Sequence, residues 1–161
     1  MNLYKNKWTS YLIWRFIIQK PRFRLFLTKL FVKDENLDIS LCGSPLHINS
    51  IKEIGYLNSF RNSSSSVVFR DEMASVISMA LILEKKDTFI DIGANVGLYS
   101  AMLGRIKNIY PDLKCYAFEA NPDTFKRLEK TLSGSNFTLY NSALSEKKGV
   151  LSFSGGAVSG V

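Results

Sequence analysis

Two cysteines and one histidine among 161 residues leave little material for sulfur or imidazole chemistry. Cys42 and Cys115 stand far apart, without the close spacing of a zinc or iron–sulfur motif. One bridge between them is arithmetically possible but nothing demands it, so two reduced thiols are expected. His47 has no partner at ligand spacing and is the one candidate for a histidine-dependent triad, which points to a structural role. No metal site is expected. Long hydrophobic runs are also missing. The stretch "WTSYLIWRFIIQKPRFRLFLTKLF" is apolar and aromatic, but Arg15, Lys20, Arg22 and Arg24 cut it well short of the ~20 residues a bilayer span needs. It has neither the unbroken apolar core nor the small-residue cleavage site of a signal peptide. A cytoplasmic location is expected, and the acceptor-like triplets at Asn62 and Asn136 are then chance matches. No internal repeat is present.

Acidic residues are absent from the first 33 positions, which hold Lys5, Lys7, Arg15, Lys20, Arg22, Arg24, Lys29 and Lys33. The net charge of +7 therefore belongs to this arm: the remainder has thirteen basic against fourteen acidic side chains. Such a distribution argues against nucleic-acid binding by the whole protein. It leaves a peripheral membrane or partner contact through residues 1–33 open. A helical arm is expected over residues 1–36, broken near Pro21. Its amphipathicity is imperfect, because Arg15 falls among Trp8, Tyr11, Leu12 and Ile18. Two helices packed on the domain, with their basic stems snorkelling outward, are the alternative.

What the sequence does contain is an alternation of strand and helix signals. "LDISLCGSPLHINS" suggests a β-hairpin, Leu37–Cys42 with Pro45–Ile48. The serines Ser63–Ser66 suggest a loop. Met73, Val76, Ile77, Ala80 and Leu81 recur near helical spacing, which predicts a helix over about 71–84. "TFIDI" reads as a buried strand, "GLYSAMLGRIKNI" as a helix and "KCYAFE" as the next strand. "NPDTFKRLEKTLSG" is a well-marked helix: Asn121 can cap it, Pro122 suits its first position, Asp123 favours its first turn and Gly134 can close it. "FTLYNSAL" and "KKGVLSFS" complete the strands. This order predicts an α/β fold with a parallel, doubly wound sheet of Rossmann-like type, preceded by the arm and the small hairpin.

Chemistry concentrates at the junction "DTFIDIGANVGLYS". Ligands of open parallel sheets bind beyond the carboxyl ends of the strands. Gly93 permits a sharp turn there, Gly97 a close approach of the following helix, and Asp91 points a carboxylate at the same crevice. The next strand ends at Glu119, 26 residues after Gly93, where an acceptor-only carboxylate can take hydrogen bonds from a ribose diol. The glycine spacing is D-x-G-x-x-x-G, with Asn95 at the middle-glycine place of the dinucleotide fingerprint. A side chain and an upstream carboxylate at that place suit a ligand without pyrophosphate and with positive charge. S-adenosylmethionine, with its adenosine, sulfonium and ammonium, fits. A nicotinamide-dependent dehydrogenase is disfavoured.

"FIDIGANVGLYS" resembles motif I of class I methyltransferases. Together with "YAFEANPDTFKRLEK", "LYNSALSEKKGVLSFS" and "FRDEMAS", it resembles the FkbM family. Ala120 stands where that family commonly has proline. The resemblance is best from Asp87 to Phe153 and does not cover the arm. It implies that Asp91, Gly93, Ala94, Asn95 and Gly97 surround the methionine part of S-adenosylmethionine. It further implies that Glu119 holds the ribose hydroxyls, that Asn121 lies near the adenosine, that Ser142 and Ala143 lie near the adenine, and that Glu72 serves the methionine end. The implied activity is O-methylation of a sugar or polyketide-like hydroxyl on a small-molecule, glycan or lipid-linked acceptor. No residue of this sequence is assigned as the catalytic base. The family's domain has more strands than the four candidates after Thr88, and its later lysine-acid-acid-glycine segment has no match here. Residues 37–161 are therefore expected to form a partial FkbM-type domain with weak cofactor binding and poor catalysis alone. A non-catalytic module that binds cofactor, membrane or partner is the competing expectation.

Overall fold

The computed structural model describes residues 26, 29–30, 32–61, 72–147 and 149. The expectations for most of the arm, for the serine loop and for nearly all of the last strand fall outside them. Strands β1 (Asn36–Leu41) and β2 (Ser44–Asn49) form the antiparallel hairpin. Its register, Leu41 opposite Ser44, makes Cys42 and Gly43 the two turn residues. Both have positive φ, 51° and 76°. The turn thus lies one residue earlier than the expected Gly43-Ser44, because a two-residue hairpin loop of the type that matches strand twist needs left-handed backbone at both central positions.

Helix α1 (Ile54–Arg61) was not foreseen. Its start is organised by Asn49 and Glu53 rather than by an apolar stripe. The Asn49 Oδ1 accepts the N–H groups of Ile51 (3.0 Å) and Lys52 (2.9 Å), while the Glu53 Oε2 accepts the Asn49 N–H at 2.6 Å. This reciprocal arrangement satisfies donors that an unsupported helix start would leave open.

The second half alternates as expected. Helix α2 (Met73–Ile82) leads to β3 (Thr88–Ile92), then α3 (Leu98–Leu103), β4 (Lys114–Phe118), α4 (Pro122–Thr131) and β5 (Phe137–Tyr140). The helix expected after Gly97 is in fact α3 followed by a 3₁₀ segment, Gly104–Asn108. A Cβ at Gly104 would lie 2.8 Å from the Phe137 ring, so the glycine there lets β5 pack against the helix. The expected strand over 137–144 ends at Tyr140, after which the chain runs on without ladder bonds to Ser145. Strands β3, β4 and β5 are parallel in that order. The fold class is α/β with a parallel sheet.

Side chains alternate across this sheet. Phe89, Cys115, Ala117, Phe137 and Leu139 face inward, onto Val76, Leu103, Leu113, Leu128 and Leu132. Leu128 is wholly buried, a gain of about 2 kcal/mol over an exposed leucine. On the other face Ile90 and Ile92 are exposed, and Tyr140 stacks on Phe118 at 4.7 Å. The hairpin covers the loop after β3: Ile39, Leu41, Leu46 and Ile48 pack with Leu57, Val96 and Leu98. A buried ion pair, Arg127 Nη2 to Glu53 Oε1 at 2.9 Å, ties α4 to the turn after β2.

Candidate functional site

Strands β3 and β4 end side by side, and the chain leaving β3 turns across the end of β4. The carbonyl of Phe118 accepts the N–H groups of both Gly93 and Ala94 at 2.9 Å. The loop then passes through three left-handed residues: Gly93 (φ 76°), Asn95 (φ 51°) and Gly97 (φ 90°). Asparagine is among the few residues with a side chain that tolerate this region, which explains how Asn95 can hold the middle place. Its N–H donates to Glu119 Oε2 at 2.9 Å, while Glu119 Oε1 accepts the Asn121 N–H at 2.8 Å. Glu119, only 9% exposed, is therefore a staple between the glycine loop and the start of α4. Each of its oxygens keeps a further lone pair for a hydroxyl.

The two glycines serve different ends. A Cβ at Gly93 would meet nothing within 4 Å, so space there is open and only the backbone angle selects glycine. A Cβ at Gly97 would lie 2.8 Å from Leu128 and 3.3 Å from Thr131. The close approach expected at Gly97 is thus one between the loop and α4.

Asp91 lies at the end of β3, and its Oδ2 accepts the Ser100 hydroxyl at 2.6 Å. Burial pushes the Asp91 carboxyl up from its usual range; Ser100 counters this and the negative Glu119 adds to it. Glu72, just before α2, accepts a hydrogen bond from the Tyr99 hydroxyl. Tyr56 of α1 is held up to about 12, chiefly by desolvation and then by the carboxylates Glu72, Glu53 and, more weakly, Asp91. Burial raises Tyr99 as well, with Glu72 adding to the shift. A hollow of about 190 Å³ bounded by Met79, Phe89, Ile90, Asp91 and Tyr99 adjoins this group.

The structure thus brings Glu72, Asp91, Glu119, Gly93, Ala94, Asn95 and Gly97 to one end of the sheet. The Asn121 side chain is engaged elsewhere: its Oδ1 caps α4, accepting from Asp123 (2.9 Å) and Thr124 (3.2 Å). Ser142 and Ala143 are exposed in the segment after β5. Asn141 holds that segment against the loop by donating to the Glu119 carbonyl at 2.8 Å. Sequence reasoning missed Tyr56, Tyr99 and Ser100. Tyr99 and Ser100 sit in the quoted motif at the start of a helix, where one turn brings a side chain back over the loop. Tyr56 carries no local signal, since its helix went unseen.

His47 is bound to Asp38 through Nδ1 at 2.6 Å, consistent with a structural place. Both cysteines are free. Among the described residues no helix is long and apolar enough to cross a membrane, and no three His, Cys, Asp or Glu side chains cluster for a metal.

No protein-family model matches the chain, and no curated protein matches it. Solved structures do. One is a proposed transferase of Pyrococcus horikoshii, 17% identical with a TM-score of 0.45, over 69% of this chain and 37% of that one. TYW2 of P. horikoshii in complex with MeSAdo is 18% identical with a TM-score of 0.46, over 71% and 38%. A proposed protein-L-isoaspartate O-methyltransferase of Plasmodium falciparum, in complex with S-adenosyl-L-homocysteine, is 14% identical with a TM-score of 0.41, over 83% and 60%. The chain spans less than two-thirds of the length of each. At this level the likeness is one of chain path, and no functional statement rests on it.

Proposed function

We propose that the glycine loop and its three carboxylates bind S-adenosylmethionine and that the chain is part of a methyltransferase of FkbM type. The observation that carries this reading is the sign of the site. Glu72, Asp91 and Glu119 converge there, and the groups whose charge acts on Asp91 and Tyr56 are carboxylates and the Tyr99 phenol, with no cation among them. A pyrophosphate would be repelled, whereas a sulfonium and an ammonium would be drawn in. The open space at Gly93 and the spare acceptor positions on Glu119 suit a nucleoside with ribose hydroxyls. Asp91, fixed by Ser100, would face the cationic end together with Glu72, which Tyr99 holds.

When bound, this cofactor supplies an electrophilic methyl group to an acceptor hydroxyl. The chain's own residues contribute position and charge. The loop held by Glu119 fixes the nucleoside, and the carboxylates fix the cationic end; orientation of this kind is a large part of catalysis in a transfer between two bound partners. A sugar or polyketide-like hydroxyl, on a small-molecule, glycan or lipid-linked acceptor, is the substrate class we favour by resemblance of the motif.

Isothermal calorimetry with S-adenosylmethionine tests the reading. Saturable binding is expected, weakened by Glu119→Gln and by Asp91→Asn, with no binding of NAD. An absence of saturable heat, or equal affinity in the wild type and both variants, would overturn it.

A further inference from the structure

A second concavity shares no residue with the acidic loop. It is a cleft of about 340 Å³ between α4 and the hairpin. Helix α4 contributes Asp123, Lys126, Arg127 and Lys130, which recur at spacings of three and four and so lie on one stripe. The hairpin side contributes His47 and Lys52. On the lining one carboxylate faces four permanent cations; of these Arg127 is paired with Glu53, while Asp38 and Asp34 bind His47 and Asn49, so the free positive charge is that of the lysines.

Among the described residues, the internal partners leave the lysines and two buried nitrogens of the wall unmatched. Arg127 binds Glu53 and Thr124 through Nη2 and the Asp123 carbonyl through Nη1. Its Nε, also a donor, is buried without a partner. His47 is in the same state: Asp38 takes Nδ1, and the buried Nε2 has no partner. Arg127 is 6% exposed and His47 8%, so water does not stand in freely for the missing partners. A buried polar atom left without a partner costs about 1–3 kcal/mol, which makes two of them in one cleft wall, the Arg127 Nε donor and the His47 Nε2, unusual unless something else satisfies them. Lys52 and Lys130 form no ion pair among the described residues, and Lys126 reaches Asp123 only at 3.8 Å.

We propose that this cleft binds a phosphate-class oxyanion, as inorganic phosphate, a phosphomonoester or the phosphate of a lipid headgroup. Tetrahedral oxygens offer acceptors to three ammonium groups at once, and charge-assisted bonds of this kind are the strong ones. The cleft is sized for a small group, and beyond residue 33 the chain has slightly more acid than base, which does not suit a nucleic-acid strand. The inference stands apart from the methyl-transfer reading and is tested without the cofactor.

His47 is the chain's one histidine, so its imidazole protons give a single assignable set of NMR signals from the wall of the cleft. The full chain is titrated with inorganic phosphate, with chloride added to hold ionic strength constant. A saturable displacement of the His47 signals is expected. In the Lys52→Gln/Lys130→Gln double variant, whose altered side chains are exposed, half-saturation should rise about tenfold with an unchanged circular dichroism spectrum. Parallel arms use glycerol phosphate and vesicles of phosphatidic acid against phosphatidylcholine. Saturable binding of glycerol phosphate without vesicle retention assigns a soluble phosphate, and lysine-dependent retention on phosphatidic acid assigns a headgroup. A linear displacement, an equal displacement by chloride alone, or an unchanged half-saturation in the folded double variant overturns the proposal.

Discussion

The acidic loop and the basic cleft both lean on helix α4, yet they treat charge in opposite ways. At the loop, each carboxylate is held by donors that carry no full charge: backbone N–H groups for Glu119, hydroxyls for Asp91 and Glu72. The negative charge is positioned but not cancelled. In the cleft, the arginine is neutralised by Glu53 and the surplus lies on lysines with long, exposed stems. The first arrangement is rigid and costly in desolvation, as the upward push on Asp91 shows. In the second, the exposed lysine charge costs little desolvation and is adaptable. Fixed charge suits a ligand held in one pose, whereas mobile charge suits capture of a simple anion.

The heaviest blow to this contrast should come from Arg127→Met. It leaves Glu53 buried without its cation, and loss of one partner of such a pair costs about 3–5 kcal/mol, readable as a lower urea midpoint. Gly97→Ala should follow at about 3 kcal/mol, since the new methyl meets Leu128 and the backbone is left-handed. It strikes the loop through α4, so cofactor affinity and stability should fall together in calorimetry and thermal melts. Glu119→Gln removes an acceptor charge from two backbone donors and should cost about 2 kcal/mol of stability, with a further loss of affinity.

Asp91→Asn should separate the two quantities. Affinity for S-adenosylmethionine is expected to fall about tenfold, while thermal stability holds or rises slightly, because a desolvated charge is gone. The pH dependence follows from the same residue. Its carboxyl is raised in the folded state, so the folded protein binds the proton more tightly. Asp91 therefore makes stability decline as pH rises from the unfolded value through the folded one, and leaves it flat above. Binding of a cationic ligand should run the other way, weakening as acid protonates Asp91. The effect confined to alkaline pH belongs to Tyr56, whose phenol is held up to about 12: stability should decline between its ordinary value of 10.0 and about 12, and its phenolate absorbance should appear late in an alkaline titration.

Local signals announced the parts of the fold that local interactions build. Strand β3 runs from Thr88 to Ile92 as its β-branched run indicates, and α4 starts at Pro122 under the cap of Asn121. Helix α1 was hidden because its start depends on Asn49 and Glu53 answering each other across four residues, with Gly55 diluting the apolar pattern. At the site, Asp91, Glu119 and the glycines were legible from their place at strand ends. The Glu53–Arg127 pair joins positions 74 residues apart, and no periodicity reports such a contact. The engagement of Glu119 with two backbone donors was likewise invisible, since it depends on how a left-handed Asn95 aims its N–H.

Gly93 and Gly97 look alike as letters in one motif, but their tolerance to change should be quite different. At 93 the demand is on one dihedral angle alone, and asparagine, which already holds such an angle at 95, should be admitted with a modest loss. At 97 the angle and the neighbouring Leu128 both forbid a side chain, so a saturation library screened for folded protein should recover glycine there and nothing else. A substitution map would thus report a contact between two helices under the guise of a ligand motif.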